Sequence, residues 1–359
     1  MINEMPGNKG IQFFLGSNTK RGFVPLFDEL RNPVSGYRLY ILKGGPGSGK
    51  SSLMRRIAKA LEEQGHDIEY IPCASDPQSL DAILDYDSHV SIVDGTAPHT
   101  MDPAYPGAYD VIINLGDVWN QDLLMQNKKR IMELSDIIGK CHSMATTCIT
   151  SAAVLLENNR ALAEPYINQD EIRVSLQQLM KELNDSPAGQ EKKRLLSAVS
   201  VGETVFFDDT LTSLCPKLYS ISDDWGASSG LLLSLLHDFA VSKNVDVITC
   251  YCSIRTPDKI DHLLFPSAGF GITTMNSFHS TASKDCIPVD GLMFPIDCTI
   301  LDGMNHNLTM AKQLIETAGK HVARAKQLHD DLEAFYIKAM DFSKVDEVYD
   351  KMIREILTV

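Results

Sequence analysis

The stretch that most limits how this chain can fold is "ILKGGPGSGKSS" at residues 41–52. Within it Gly44, Gly45, Pro46, Gly47, Ser48, Gly49, Lys50 and Ser51 satisfy G-x-x-x-x-G-K-[ST], and Ser52 follows. The flanks fix its place in the fold. "YRLYIL" at 37–42 is short and rich in aromatic and β-branched residues, as a buried parallel strand is. After the loop, "SSLMRRIAKALEEQG" sets Leu53, Ile57, Ala60 and Leu61 at helical spacing and stops at Gly65, a glycine C-cap. The order is strand, glycine loop, helix.

Such an order aims backbone N–H groups at an anion lying on the positive end of a helix, and Gly44, Gly47 and Gly49 let the chain curl closely around it. Lys50 is then expected to reach the β- and γ-phosphates of a triphosphate, with the Ser51 hydroxyl completing the coordination of Mg²⁺. Two further strands are expected within "HDIEYIPCASDP" at 66–77 and "HVSIVDGTAPH" at 89–99. Alternating strands and helices predict a parallel sheet whose ligands gather beyond the strands' carboxyl ends, near Ser75, Asp76, Asp94 and His99. Asp94 follows "VSIV" and is read as the acid that holds the metal, against the alternative of a turn aspartate. Asp76, before Pro77, is suited either to orient an attacking hydroxyl or water or to start a turn. His99 reads as a base, a γ-phosphate sensor or a hydrogen-bonded structural histidine.

These stretches resemble the P-loop NTPase superfamily, and within it a family of bacterial proteins, catalogued as ATPases, with two fused P-loop-like halves. The resemblance rests on "ILKGGPGSGKSSLM", "CASDPQSLD", "IVDGTAPHTMDPAYPGAYD" and "IINLGDVWN", over about the first 120 residues. It implies ATP binding and a doubly wound core. It implies no particular substrate.

The sequence also carries a faint internal repeat at an offset of 180 residues. Gly22 falls on Gly202, Phe27 on Phe207, Ile41 on Ile221, Ser48 on Ser228, Asp81 on Asp261, His99 on His279 and Asp117 on Asp297. In this register "DDWGASSG" at 223–230 takes the place of the glycine loop, with Gly230 where Lys50 stands, Leu231 for Ser51 and Thr274 for Asp94. Asp223 and Asp224 are expected to repel a triphosphate there. The second half therefore reads as a relic that binds no nucleotide, which departs from the family, whose second half usually carries its own loop.

The expected architecture is α/β: tandem duplicated P-loop NTPase-like parallel-sheet domains with helical extensions, divided as 1–185 and 190–359 around the breakers of "NDSPAGQEKK". In the first extension Leu124, Asn127, Ile131, Leu134, Ile138, Cys141, Ala145, Cys148, Ala152 and Leu155 form a helical stripe suited to close packing. A net charge of −14 disfavours nucleic acid and anionic membrane as partners. No apolar run approaches 18 residues and no signal peptide is indicated, so a cytoplasmic protein is expected. Eight scattered cysteines without a C-x-x-C pair argue against a zinc site or a disulfide framework. The leading expectation is Mg²⁺-dependent ATP hydrolysis in the first half, through Lys50, Ser51, Asp94 and either Asp76 or His99. Small-molecule or nucleotide kinase activity, or an ATP-responsive switch acting on an unknown partner, are the alternatives.

Overall fold

The computed structural model describes residues 10–31, 38–97, 100–183 and 189–358. In chain order the elements that build the fold begin with β1 (Ile11–Gln12), β2 (Arg38–Lys43), α1 (Lys50–Glu62), β3 (Ile68–Pro72), β4 (Leu80–Asp85), β5 (Val90–Asp94) and β6 (Asp110–Asn114). Helices α2 (Lys128–Ala163) and α3 (Gln169–Met180) follow. The second series is β7 (Glu191–Arg194), β8 (Lys217–Ser222), α4 (Ser228–Ser242), β9 (Val247–Tyr251), β10 (Ile260–Phe265), β11 (Phe270–Met275) and β12 (Ile287–Pro288). The chain closes with α5 (Cys298–Ala339) and α6 (Phe342–Leu357).

The first six strands form one sheet in the order β1-β3-β4-β5-β2-β6, and the last six a second in the order β7-β9-β10-β11-β8-β12. The two orders correspond strand for strand. So do the directions: in each sheet the third strand of this order runs antiparallel to both neighbours, and the remaining pairs are parallel. The offset of 180 carries β4 onto the bounds of β10. The faint side-chain repeat thus has a counterpart in topology, compatible with a duplicated fold, since hydrophobic alternation and turn positions can hold a sheet together with few identities in common.

The sheets are mixed, which corrects the expectation of parallel sheets. Residues 80–85 form a wholly buried strand where none was expected. It is joined to β3 and β5 by connections of only a few residues, and a parallel neighbour would need a crossover of about a dozen residues or more. Around β2 the expectation holds: it lies between β5 and β6, parallel to both, with Leu42 beside Asp94 and Ile113. Leu39, Tyr40, Ile41 and Leu42 are all fully buried, as a central strand covered on both faces requires.

Two compact units emerge, and neither is a continuous half. One comprises Met1–Gly16, Pro25–Met144 and Lys320–Val359; the other comprises Ser17–Val24 and Ala145–Gly319. This differs from a division at 185/190, since the end of α5 with α6 belongs with the first sheet, and much of α2 with α3 belongs with the second. Periodicity marks the buried face of a helix but not which core buries it.

In the first unit α1 lays Leu53, Met54, Ile57, Ala58 and Leu61 on Tyr40, Leu42, Ile83 and Ile92, and α6 adds Met352 and Ile356 to the same cluster. Ala60, placed on the buried stripe from sequence, is only half-buried. Gly65 does end the helical turn, with φ of 89°. Leu134 and Cys141, from the predicted α2 stripe, pack with Ala325, Leu328 and Leu332 of α5. In the second unit Leu232, Leu233 and Leu236 of α4 meet Tyr219, Ile221, Leu263 and Ile272 of the sheet and Ile172 and Leu179 of α3. All eight cysteines are free thiols. No helix among the described residues is long and apolar enough to cross a membrane.

Candidate functional site

The glycine loop leaves the carboxyl end of β2 and enters α1 at Lys50. Gly47 and Gly49 take φ of 66° and 89°, a left-handed region open to glycine at little cost. Ser48 closes the curve, its Oγ donating to the Gly45 carbonyl at 2.8 Å. The Leu53 amide then donates to the Gly49 carbonyl at 2.8 Å, the first turn of α1.

Lys50 is folded back against its own loop. Its Nζ donates to the carbonyls of Gly44 and Gly45 at 3.0 and 2.9 Å and lies 3.5 Å from Asp94 Oδ2. The parallel register that sets Leu42 beside Asp94 brings the two charges together at the strand ends. Asp94 forms the turn of the alternative reading, its Oδ1 accepting from the Thr96 amide and hydroxyl, while Oδ2 faces Lys50. Ser51 Oγ accepts from the Leu80 amide at 2.9 Å, which leaves its own hydroxyl hydrogen and a lone pair for another partner. Ser52 faces solvent.

Asp76 is engaged elsewhere. Its Oδ1 accepts from the Gln78 amide at 3.3 Å and its Oδ2 lies 3.5 Å from Lys326 Nζ on α5, so the turn-forming alternative is the one built. Burial opposes the charge on Lys326, but its bond to Asp330 and the charge of Asp76 outweigh that and raise its pKa. His99 lies outside the described residues.

Sequence reasoning missed two contributors. Lys43, the last residue of β2, donates to the carbonyls of Gly95 at 2.7 Å and Met101 at 2.8 Å, holding the segment that follows Asp94. Its position directly before Gly44 was the available signal. The second contributor is the end of α5, which lies over the loop. The Gly47 amide donates to Glu333 Oε1 at 3.2 Å. A Cβ on Gly45 would come within 2.5 Å of the Tyr336 ring, and one on Gly47 within 3.0 Å of the Glu333 carbonyl and Ile337. The absence of side chains at 45 and 47 is what admits this helix, about 290 residues away in sequence, and nothing local could have announced it.

The loop therefore already holds an anion, supplied by the protein. The second loop does so more completely. Asp223, at the end of β8, accepts from the amides of Trp225 (3.0 Å), Gly226 (2.8 Å) and Ser229 (2.9 Å) and from the Ser228 hydroxyl (3.1 Å). The expectation that Asp223 would repel an anion needs this refinement: its carboxylate is the bound anion, and a helix N-terminus with several free amides stabilises it. Gly230 and Leu231 offer neither a cation nor a hydroxyl at this second loop.

Comparison with protein-family models, curated proteins and solved structures finds no match.

Proposed function

We propose that the first unit binds ATP with Mg²⁺ at residues 44–52 and hydrolyses it, the second unit's loop taking no nucleotide. The observation that carries this reading is an anion already seated in the first loop: the Gly47 amide, on a left-handed glycine, holds the Glu333 carboxylate, and the same loop carries the buried Lys50. A phosphate oxygen asks for the same N–H and the same neighbouring charge. Ser51 and Asp94 would hold Mg²⁺, whose role is to neutralise charge developing on the transferring phosphoryl oxygens. Lys50 would exchange its two loop carbonyls for phosphate oxygens, and Asp94, 3.5 Å away, keeps the ammonium at the loop meanwhile.

One observation favours a switch operating alongside hydrolysis. Glu333 and Tyr336 sit where a triphosphate would pass, so nucleotide entry would have to move the end of α5. Binding would then carry a conformational signal to whatever α5 and α6 contact.

The test is calorimetric titration of Mg·ATP into the full chain and into Lys50→Ala, with phosphate release followed in parallel. Saturation near one nucleotide per chain is expected. A loss of about 2 kcal/mol in the variant, roughly thirtyfold, would match removal of a charge-assisted contact. Absence of binding by the unaltered chain would refute the proposal.

A further inference from the structure

A buried cluster of charges in the second unit lies over the loop at 223–229. Its cavity is lined by Asp223, Asp224 and Gly226 of that loop, by Ser253, Arg255 and Lys259 of the turn from β9 into β10, by Asp261 of β10, and by Asn276 and His279. Gly226, with φ of 69°, is the point of closest approach. A Cβ there would fall 2.8 Å from Arg255 Nη2 and 2.8 Å from Lys259 Cε, so two cations converge on one side-chainless residue.

The acids around them are already engaged. Asp223 is held by the four donors of its own loop. Asp261 takes the Lys259 ammonium. Asp258 pairs with Lys20 at 3.0 Å and Arg21 at 2.7 Å. Asp224 is exposed and accepts from the Ser277 amide at 2.6 Å. Arg255 is the one left over. It is only 6% exposed, its Nε has no hydrogen-bond partner, and its guanidinium makes no ion pair among the described residues.

A guanidinium does not deprotonate in a protein, so burial cannot relieve its charge as it can for lysine or histidine. Leaving such a charge buried without a partner costs several kcal/mol, and folded proteins rarely tolerate it unless something completes the site. We propose that this cavity binds a small oxyanion, a phosphate or carboxylate group of a soluble ligand, through Arg255. The planar guanidinium can meet two such oxygens at once, and Asn276 and Ser253 stand beside it as neutral donors. A divalent cation is the weaker fit. Asp261, His262 and His279 bring ligand atoms within 4.8 Å of one another, but Lys259 occupies the carboxylate and a second cation, Arg255, adjoins it. The inference does not depend on nucleotide binding by the first unit.

Trp225 lies within the loop, and Trp119 is the chain's only other tryptophan, so a Trp119→Phe full-length chain reports the cavity through Trp225 emission. Adding Lys50→Ala removes the first loop's lysine from the experiment. Inorganic phosphate in one arm and succinate in the other distinguish the two oxyanions. The expected result is a saturable change with at least one of them, at millimolar dissociation constant or tighter. Arg255→Gln should weaken it at least tenfold and Arg255→Lys less. Without oxyanion, Arg255→Gln should unfold at the same or a higher temperature than its parent, since the charge it removes has no partner. Should the double variant not fold, the unfolding temperature of the unaltered chain serves: phosphate or succinate must raise it, and must raise it less in Arg255→Gln. No saturable response to either oxyanion, or a response that survives Arg255→Gln, overturns the proposal.

Discussion

Replacing Glu333 by glutamine should tighten nucleotide binding. The carboxylate accepts from the Gly47 amide at 3.2 Å, on the N–H that a phosphate oxygen would take. Any triphosphate must therefore displace it, forfeiting a charge-assisted hydrogen bond worth about 1.5–3 kcal/mol when buried. If the carboxylate stays nearby, two negative charges at 4 Å repel by about 4 kcal/mol at an effective dielectric of 20 and about 1 kcal/mol in water. The Glu333 side chain is 34% exposed, so water screens both effects and the lower ends apply. Together these leave a competition of about 1–2 kcal/mol, or roughly tenfold in affinity. Glutamine keeps the size and can still accept from Gly47, but it carries no charge. Mg·ATP titration of Glu333→Gln should show binding about tenfold tighter than the parent, with the gap narrowing as salt rises. Equal or weaker affinity in a variant with unchanged unfolding temperature would refute the idea that α5 competes for the loop.

Asp94→Asn should leave Mg·ATP binding measurable while removing most Mg²⁺-dependent phosphate release, because the metal loses a carboxylate when charge develops; near-parental turnover would place the metal elsewhere. Asp223→Ala should destabilise the second unit by about 2–3 kcal/mol, since a buried acceptor serving four loop donors is lost at once; denaturant unfolding with a change under about 0.5 kcal/mol would deny it that role. Acid should weaken the second unit through two histidines: burial, with the charge of His279, holds His262 well below the usual 6.5, and burial also lowers His279. The unfolded chain then binds more protons below pH 6.5, so stability should fall as pH drops from 6.5 toward their folded-state values, by up to about 1.4 kcal/mol per pH unit for each. Unfolding temperatures across pH 7.5 to 5 check this, and His262→Gln should flatten the dependence.

What was legible in the sequence was whatever local chemistry decides. The strand before Gly44, the helix after it and the glycine stop at Gly65 follow from residue type and spacing, and the structure builds each of them. The approach of Lys50 to Asp94 follows from the parallel pairing of β2 and β5, because the loop that leaves the carboxyl end of β2 and enters α1 at Lys50 starts beside the carboxyl end of β5, where Asp94 stands. β4 was missed because "LDAILD" follows the turn residues Asp76, Pro77 and Ser79 without a strict apolar–polar alternation of its own, so periodicity could not mark it as a strand. Asp76 stayed open between two readings because the same Asp-Pro pair serves a turn and a catalytic acid, and only the arrival of Lys326 from α5 shows what its carboxylate meets. The grouping of α2 and α5 with particular sheets was beyond reach, since an amphipathic face does not name its partner.

The two loops answer one physical problem in different ways. Each presents backbone amides at a helix start, and amides left bare inside a protein are costly, so each needs an acceptor, for which an anion is well suited at a helix start. In the second loop the anion is Asp223, part of the loop itself, and it meets three amides and a hydroxyl at once. Moving it would unmake the turn, so that loop is expected to exclude a phosphate for reasons of structure as well as of charge. In the first loop the anion is Glu333, brought by a distant helix, partly exposed, tied to the loop by one hydrogen bond from the Gly47 amide and 3.6 Å from His329 Nδ1 on its own helix. It can leave without disturbing the curve that Gly47 and Gly49 and the Ser48 hydroxyl maintain. An anion tied by one bond is exchangeable and one tied by four is not. That difference, more than the loss of a lysine at position 230, is why ligand exchange is expected at the first loop alone, while the second unit's unpaired Arg255 directs attention to the cavity above its loop instead.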